Sequence, residues 1–280
     1  MIVNNRIGAS IGCDSKKFWK EVKKKKNFRV DIPNNIDEAT GGNDICELWH
    51  EHYKSLFNDP SHTPPQAPSR NVLADAPVIT VQEVSKAIQK INSGSSPGHD
   101  GITPTHIIAS HPVLHALIAF FFNSCLKHCY LPEDLIKVIL VPIVKDKNET
   151  LTSKKNYRPI ALSTIYSKIL EIIMLNRITC FIESSENQFA YKQGHGTEMA
   201  TYALKNTVLA YTERNTPIYA CFLDMSKAFD KISHHILFKR MLKRNVPKYI
   251  VPILHHWYST QICLSNGGIS YLHLLRSHVA

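Results

Sequence analysis

An apolar run, Ile218-Tyr219-Ala220-Cys221-Phe222-Leu223, ends on a carboxylate, Asp224, and Phe229 and a second acid, Asp230, follow closely. A charge at the tip of a buried strand is costly unless something pairs with it. One such partner is magnesium, which takes one or two carboxylates together with substrate phosphates and retained waters. Two such ions, about 3.5–4 Å apart, can clamp the attacking and leaving oxygens of a phosphoryl transfer. The other reading is local: an aspartate that caps the turn into the following helix. On spacing alone capping is the simpler reading, and both remain open at this level. Cys125, His128 and Cys129 also share a helix face at metal-ligand spacing, but they lie in the apolar segment "AFFFNSCLKHCYL". Burial of the thiols is the better account there.

Several elements must position these groups. "NDICELWHEHYKSLFN", 43–58, reads as an amphipathic helix capped by Asn43 or Asp44, with Ile45, Leu48, Trp49, His52 and Leu56 as its stripe. "TVQEVSKAIQKI", 80–91, is a second helix, with Thr80 and Glu83 as a capping box and Val81, Val84, Ala87, Ile88 and Ile91 on one face. A glycine- and proline-bearing loop, "NSGSSPGHDGITP", follows at 92–104. The apolar pattern then predicts one long helix over 105–129. "KVILVPIVKDKN", 137–148, predicts a strand and hairpin. Tyr157-Arg158-Pro159-Ile160 is expected to be extended, because a residue before proline is pushed out of the helical region. Ser163 or Thr164 then caps a helix lined by Ile165, Ile169, Ile172, Ile173 and Leu175. A loop at 188–197 and a helix at 197–215 lead into the apolar strand that ends on Asp224. Helices, a β-rich insert, more helices and a strand–helix–helix unit point to an α+β fold.

Composition narrows the partners. The 280 residues hold 33 Lys and Arg against 23 Asp and Glu, a formal charge of +10. Such a surplus suits a polyanion, most simply a nucleic acid. Residues 14–30, "DSKKFWKEVKKKKNFRV", concentrate it, with Phe18, Trp19 and Val22 spaced for one helix face. The four prolines of "DPSHTPPQAPS", 59–69, mark a linker, so the region before it is expected to be a separate helical appendage. Seven cysteines without a CxxC pair fit reduced thiols and an intracellular setting, cytoplasm or nucleus. No apolar run nears the ~18 residues that cross a bilayer, so no membrane partner is expected.

The stretch "FLDMSKAFDKISHHILFKRML" resembles the first catalytic motif of the reverse transcriptases of non-LTR (LINE-type) retrotransposons. "SSPGHDGITPTHI" is similar to that family's proline-glycine-x-aspartate-glycine loop. "LVPIVKDKN" and "NYRPIALSTIYSKILEIIMLNRI" resemble its fingers segments, and "QFAYKQGHGTEMATYALK" the stretch leading into the palm. "FWKEVKKKK" and "ELWHEHYKSLFN" look like the connector that precedes the polymerase. The resemblance covers roughly residues 15–260. It implies right-hand polymerase fingers plus an incomplete palm: a helical basic connector at 1–58, a linker at 59–79, a fingers-like region at 80–195 and a partial palm at 196–280.

It also implies roles. Asp224 corresponds to the first metal-binding aspartate, with the Met225 carbonyl as a second Mg2+ ligand. Phe229 corresponds to the aromatic under the incoming sugar that rejects a 2′-hydroxyl. Arg158 would grip the triphosphate, where a planar fork outperforms a point charge. Lys145 and Lys147 would touch template or triphosphate, and Gly98, Asp100 and Gly101 would shape the loop that meets the template. Lys227 and Asp230 would be structural partners at a helix start. The partners implied are an RNA template, a DNA primer and dNTPs.

One departure carries weight. The family's further acids come from an Asp-Asp pair between two strands, and this sequence has none; after Asp230 it has no Asp or Glu at all. "SNGGIS", 265–270, looks like a shortened form of the family's glycine-rich loop. The expectation is a chain ending after the first palm motif, without thumb or upstream endonuclease. It would hold Mg2+ weakly or not at all and be inactive alone; the alternative is a non-catalytic RNA- or DNA-binding remnant.

Overall fold

The computed structural model describes residues 33–57, 77–182, 184–225, 228, 232–266 and 272–276. The basic segment 14–30, the proline-rich stretch 59–69, Gly267 and Gly268 lie outside the described residues, as do Lys227, Phe229 and Asp230. In chain order a small hairpin, β1 (Asn35–Ile36) and β2 (Ala39–Thr40), leads into α1 (Gly42–Phe57). Four helices follow: α2 (Val81–Lys90), α3 (Pro104–Ile108), α4 (Pro112–His128) and α5 (Glu133–Ile136). Next come the strands β3 (Val138–Val144) and β4 (Tyr157–Ser163). The helices α6 (Ile165–Ile178), α7 (Thr197–Thr212), α8 (His234–Lys243) and α9 (Ile250–Thr260) precede β5 (Ile262–Asn266) and β6 (Leu272–Arg276). Helices mixed with small sheets make this an α+β chain.

The local signals for α2 hold. The Thr80 hydroxyl accepts from the Glu83 N–H at 3.2 Å, and the Glu83 carboxylate accepts from the Thr80 N–H at 2.9 Å. Both orphan donors of the first turn are thereby satisfied. The single helix expected over 105–129 is instead two, α3 and α4. Pro112 makes the break: the residue before it, His111, is held extended at φ −68° and ψ 143°.

Four strands form one sheet in the order β4-β3-β5-β6. β3 and β4 are an antiparallel hairpin running from Val138 opposite Ser163 to Val144 opposite Tyr157. The connection between them is rigid. Buried Asn156 accepts from the Asp146 N–H at 3.0 Å and donates to the Asp146 carbonyl at 2.7 Å, and the Tyr157 hydroxyl donates to the Leu151 carbonyl. On its other side β3 pairs parallel with β5, but only over Val138–Leu140. Two residues later Pro142 has no N–H to offer a neighbour.

Of the region before the linker, residues 33–57 pack on the sheet instead of standing apart from it. Val138, Leu140 and Tyr157 turn one face of the sheet toward α1, and Ile36, Ala39, Ile45, Trp49 and Tyr53 cover it. Trp49 is 1% exposed, with its ring 5.3 Å from Tyr157 edge-on and 5.5 Å from Tyr53 in a stack. The second core is helical: α2, α4, α6 and α9 bury Val84, Phe122, Ile169, Ile250 and Trp257 among others. Two polar latches close it. Asn123 pairs with both backbone groups of Ile79 at 2.7 and 2.9 Å. Arg177 holds the Glu83 carboxylate through two nitrogens at 2.8 and 3.0 Å and donates to the carbonyls of Pro77 and Val78.

The expected strand ending on Asp224 is not one. Residues 216–225 form no helix and pair with no strand among the described residues, and Tyr219, Phe222 and Leu223 are 93%, 81% and 92% exposed. α7, which ends at Thr212 rather than near 215, buries none of its residues. A strand needs a neighbour to satisfy its backbone and cover its apolar side chains, and none of the described residues stands beside this one as a strand. β5 and β6 flank "SNGGIS", expected to be a glycine-rich loop, whose residues 267–270 lie outside the described residues.

Candidate functional site

The proposed template loop is built against the sheet. It runs from α2 to α3, and Gly98 packs directly on the junction between β4 and α6. A Cβ on Gly98 would meet the Thr164 N at 2.7 Å, the Thr164 Cα at 2.8 Å and the Ser163 carbonyl carbon at 2.9 Å. Only a residue without a side chain fits so close to backbone. Gly101 has φ +67°, the left-handed region, and its N–H donates to the Gly98 carbonyl at 3.2 Å. The Asp100 carboxylate accepts from the Ile102 N–H at 3.1 Å, a side-chain turn that fixes the loop's exit. The Lys168 ammonium, on α6, donates to the Ser96 carbonyl at 2.9 Å.

The junction under Gly98 is itself pinned. Thr164 is 2% exposed, and its hydroxyl caps α6 by accepting from the Ser167 N–H at 3.2 Å. Ser167 in turn donates to the Leu135 carbonyl. Beside this junction lies a mainly apolar cavity of ≈ 690 Å³, lined by Ile102, Leu117, Phe121, Leu135, Thr164 and Tyr166 and edged by His99, Asp100 and Asp134. The His99 Nε2 is 3.6 Å from the Asp134 carboxylate, and the Lys137 ammonium is 2.8 Å from the same oxygen. Lys137, then His99, hold the Asp134 carboxyl below its usual range. Burial, then the Asp100 charge, push the Tyr166 hydroxyl up.

Arg158 lies on β4 opposite Ile143, on the sheet face away from α1, and is exposed. Ile143 and Ile160, 45% and 39% exposed, share that face with it. Lys145 leaves the hairpin next to this face; its ammonium donates to the Lys155 carbonyl at 2.7 Å. Lys147 is exposed on the same connection. Arg158 and the hairpin lysines are thus carried by one rigid hairpin, and the Gly98 loop is fastened to that hairpin's far end.

Asp224 and Met225 are exposed, on the segment after α7. No side-chain hydrogen bond or ion pair joins Asp224 to any described residue; Ser226 and Lys227, whose backbone N–H groups a capping aspartate would take, lie outside the described residues. One carboxylate and one backbone carbonyl do not fit a two-metal clamp, and among the described residues no group of three His, Cys, Asp or Glu could hold a metal ion. Burial pushes the Cys125 thiol up to about 11, which keeps it protonated in the core. The described residues include no helix long and apolar enough to cross a membrane.

Sequence reasoning missed His99, Asp134 and Tyr166, which come together only when α5 and α6 pack on the loop. It also missed Arg177, although its partner Glu83 was marked by the capping box.

Comparison with known proteins places these elements. Residues 144–274 match the family described as reverse transcriptase (RNA-dependent DNA polymerase). The match includes Arg158, Asp224, Phe229 and "SNGGIS". A relative in Drosophila funebris, the RNA-directed DNA polymerase from mobile element jockey, is 27% identical over 207 residues, covering 72% of this chain and 22% of the relative. The Drosophila melanogaster protein of the same description is 29% identical over 160 residues, 56% of this chain and 17% of its own length. A putative 115 kDa protein in the type-1 retrotransposable element R1DM of Drosophila melanogaster is 28% identical over 177 residues, covering 63% and 17%. The chain spans about a fifth of the length of these relatives. Residues 144–274 thus match the reverse transcriptase (RNA-dependent DNA polymerase) family, and the relatives of the chain include RNA-directed DNA polymerases from mobile elements.

Proposed function

We propose that this chain is the template- and nucleotide-facing part of an RNA-templated DNA polymerase, and that by itself it binds nucleic acid without carrying out synthesis. The observation that supports it most is the family match over 144–274, a single segment that includes both Arg158 and Asp224. In this reading residues 80–195 act as fingers and 196–280 as part of a palm. The Gly98–Gly101 loop lies along the template, and Lys145 and Lys147 contact template or triphosphate from the hairpin. Arg158 forks onto the triphosphate. Phe229 lies under the sugar. Asp224, with the Met225 carbonyl, offers one pair of ligands to a magnesium ion, and magnesium when bound supplies charge neutralisation at the phosphates.

The sequence has no Asp-Asp pair to complete that set. Removal of one member of a cooperating catalytic group costs orders of magnitude in rate. The chain alone is therefore expected to hold a template–primer and leave it unextended. Primer extension on an RNA template with dNTPs and Mg2+ tests this. No incorporation supports the reading; incorporation that disappears in Asp224→Ala would show that one carboxylate suffices and overturn the second half of the proposal.

A further inference from the structure

α8 carries charge that the polymerase reading leaves unused. Its inner face is fixed: Phe238 is 6% exposed, 5.5 Å from the His255 ring and 6.1 Å from Tyr258, and His234 lies 4.9 Å from Tyr258 edge-on. With about 100° between successive helical residues, that packing leaves Ile236, Lys239, Arg240 and Lys243 on the outer face. All four are exposed, as is Lys248 just beyond the helix. Among the described residues Lys239, Arg240, Lys243 and Lys248 make no ion pair or side-chain hydrogen bond. The chain offers them no nearby acid in sequence either: residues 231–280 hold seven Lys and Arg and no Asp or Glu. Favourable interaction with the helix dipole accounts for Arg240 and Lys243 in the last turn; it does not account for Lys239 or Lys248.

Resting on the nucleic-acid reading above, we propose that the outer face of α8 grips the sugar-phosphate backbone of a nucleic-acid strand, at a site separate from the hairpin and the Gly98 loop. Charge complementarity names the occupant. An unpaired basic stripe fixed on a packed helix presents several cations at once, and a phosphate backbone is the partner that repeats its charge along a line. Lys239 and Lys243 are one turn apart, about 5–6 Å between Cβ atoms, so each can meet a different phosphate. Ile236, 52% exposed at the N-terminal end of the stripe, adds an apolar contact for a sugar. Contacts of this kind set position and affinity, not sequence preference.

The test is binding of a labelled single-stranded RNA across a salt series, comparing the unmodified chain with K239Q/R240Q/K243Q. Loss of three phosphate contacts should flatten the slope of log K against log salt by about 2, so the unmodified chain loses roughly 20-fold more affinity than the variant between about 50 and 200 mM salt. K239R/K243R should keep the slope. All three substitutions are on the surface, and matching melting curves check that the fold is intact. An unchanged slope in K239Q/R240Q/K243Q, with binding abolished instead by neutralising Lys23–Lys26, would overturn the α8 proposal and leave the polymerase reading standing. No RNA binding by the unmodified chain would overturn both. Selective binding to phosphatidylserine vesicles in place of RNA would assign the face to a membrane and overturn it too.

Discussion

Replacing Gly98 by alanine puts a methyl group where the structure has no room. The added Cβ would lie 2.7–2.9 Å from three backbone atoms of Ser163 and Thr164, none of them the end of a flexible side chain. Those atoms cannot easily give, because Thr164 is buried and caps α6, and the Ser167 hydroxyl ties α6 to the Leu135 carbonyl. Overpacking of this kind costs about 1–3 kcal/mol. For a chain of this size each kcal/mol lowers the melting midpoint by about 2–4 °C, so Gly98→Ala should melt roughly 2–12 °C early. Two neighbours in the same loop calibrate the argument. Gly101 has open space but φ +67°, so Gly101→Ala should cost only about 1 kcal/mol of backbone strain. Gly94 has neither constraint, its nearest contact being the Asn92 Oδ1 at 3.5 Å, and Gly94→Ala should be neutral or gain up to about 1 kcal/mol. Thermal and urea melts of the three variants should rank Gly98→Ala lowest. A Gly98→Ala protein as stable as Gly94→Ala would show that the loop does not rest on the β4–α6 junction, and would refute the claim that the junction positions it.

Other predictions follow from the same contacts. Trp49→Ala should destabilise the chain by about 3–5 kcal/mol in denaturant melts, because α1 closes the sheet face; a loose appendage would give nearly none. Arg177→Ala should cost about 2–3 kcal/mol, less than a fully buried pair because the Glu83 side chain is 33% exposed. Arg177, then hydrogen bonds from Thr80, hold the Glu83 carboxyl below the usual carboxylate range against the opposing effect of burial. A lowered native pKa adds stability that is complete above the unfolded value and is lost as pH falls through the native one. The gap between the unmodified chain and Arg177→Ala, followed by urea midpoint against pH, should therefore be widest above about pH 5 and narrow on acidification; a gap that widens in acid would contradict the pairing. Asp224→Ala should leave the unfolding free energy within about 0.5 kcal/mol of the unmodified chain's, since Asp224 is exposed and without a partner among the described residues.

Local signals were legible where neighbouring residues decide the outcome. Thr80 and Glu83 announce α2 because both partners sit within one turn. Alternation in "VILVPIV" and the proline of "YRPIA" announce the hairpin. The long apolar stretch misled because its hydrophobic pattern runs straight through Pro112, whose effect is on one residue's backbone. Partners distant in sequence were not legible. Trp49 shows an apolar stripe but not that Val138, Leu140 and Tyr157 would receive it, and nothing in "QICLSN" says it will lie parallel to β3. The run Ile218–Leu223 has strand composition, yet a strand is a relation between segments, and the described residues supply no neighbour. For the candidate site, the sequence marked Gly98, Gly101, Arg158 and Asp224. It could not show that Gly98 touches Thr164, or that His99, Asp134 and Tyr166 edge a cavity beside it.

The polyanion partner is the claim on which the rest depends, and a salt titration of the chain against a labelled RNA template annealed to a DNA primer tests it most directly. The account predicts saturable binding whose affinity falls linearly in log-log form as salt rises, by several powers of the salt concentration. Binding that is absent, or indifferent to salt, would contradict it.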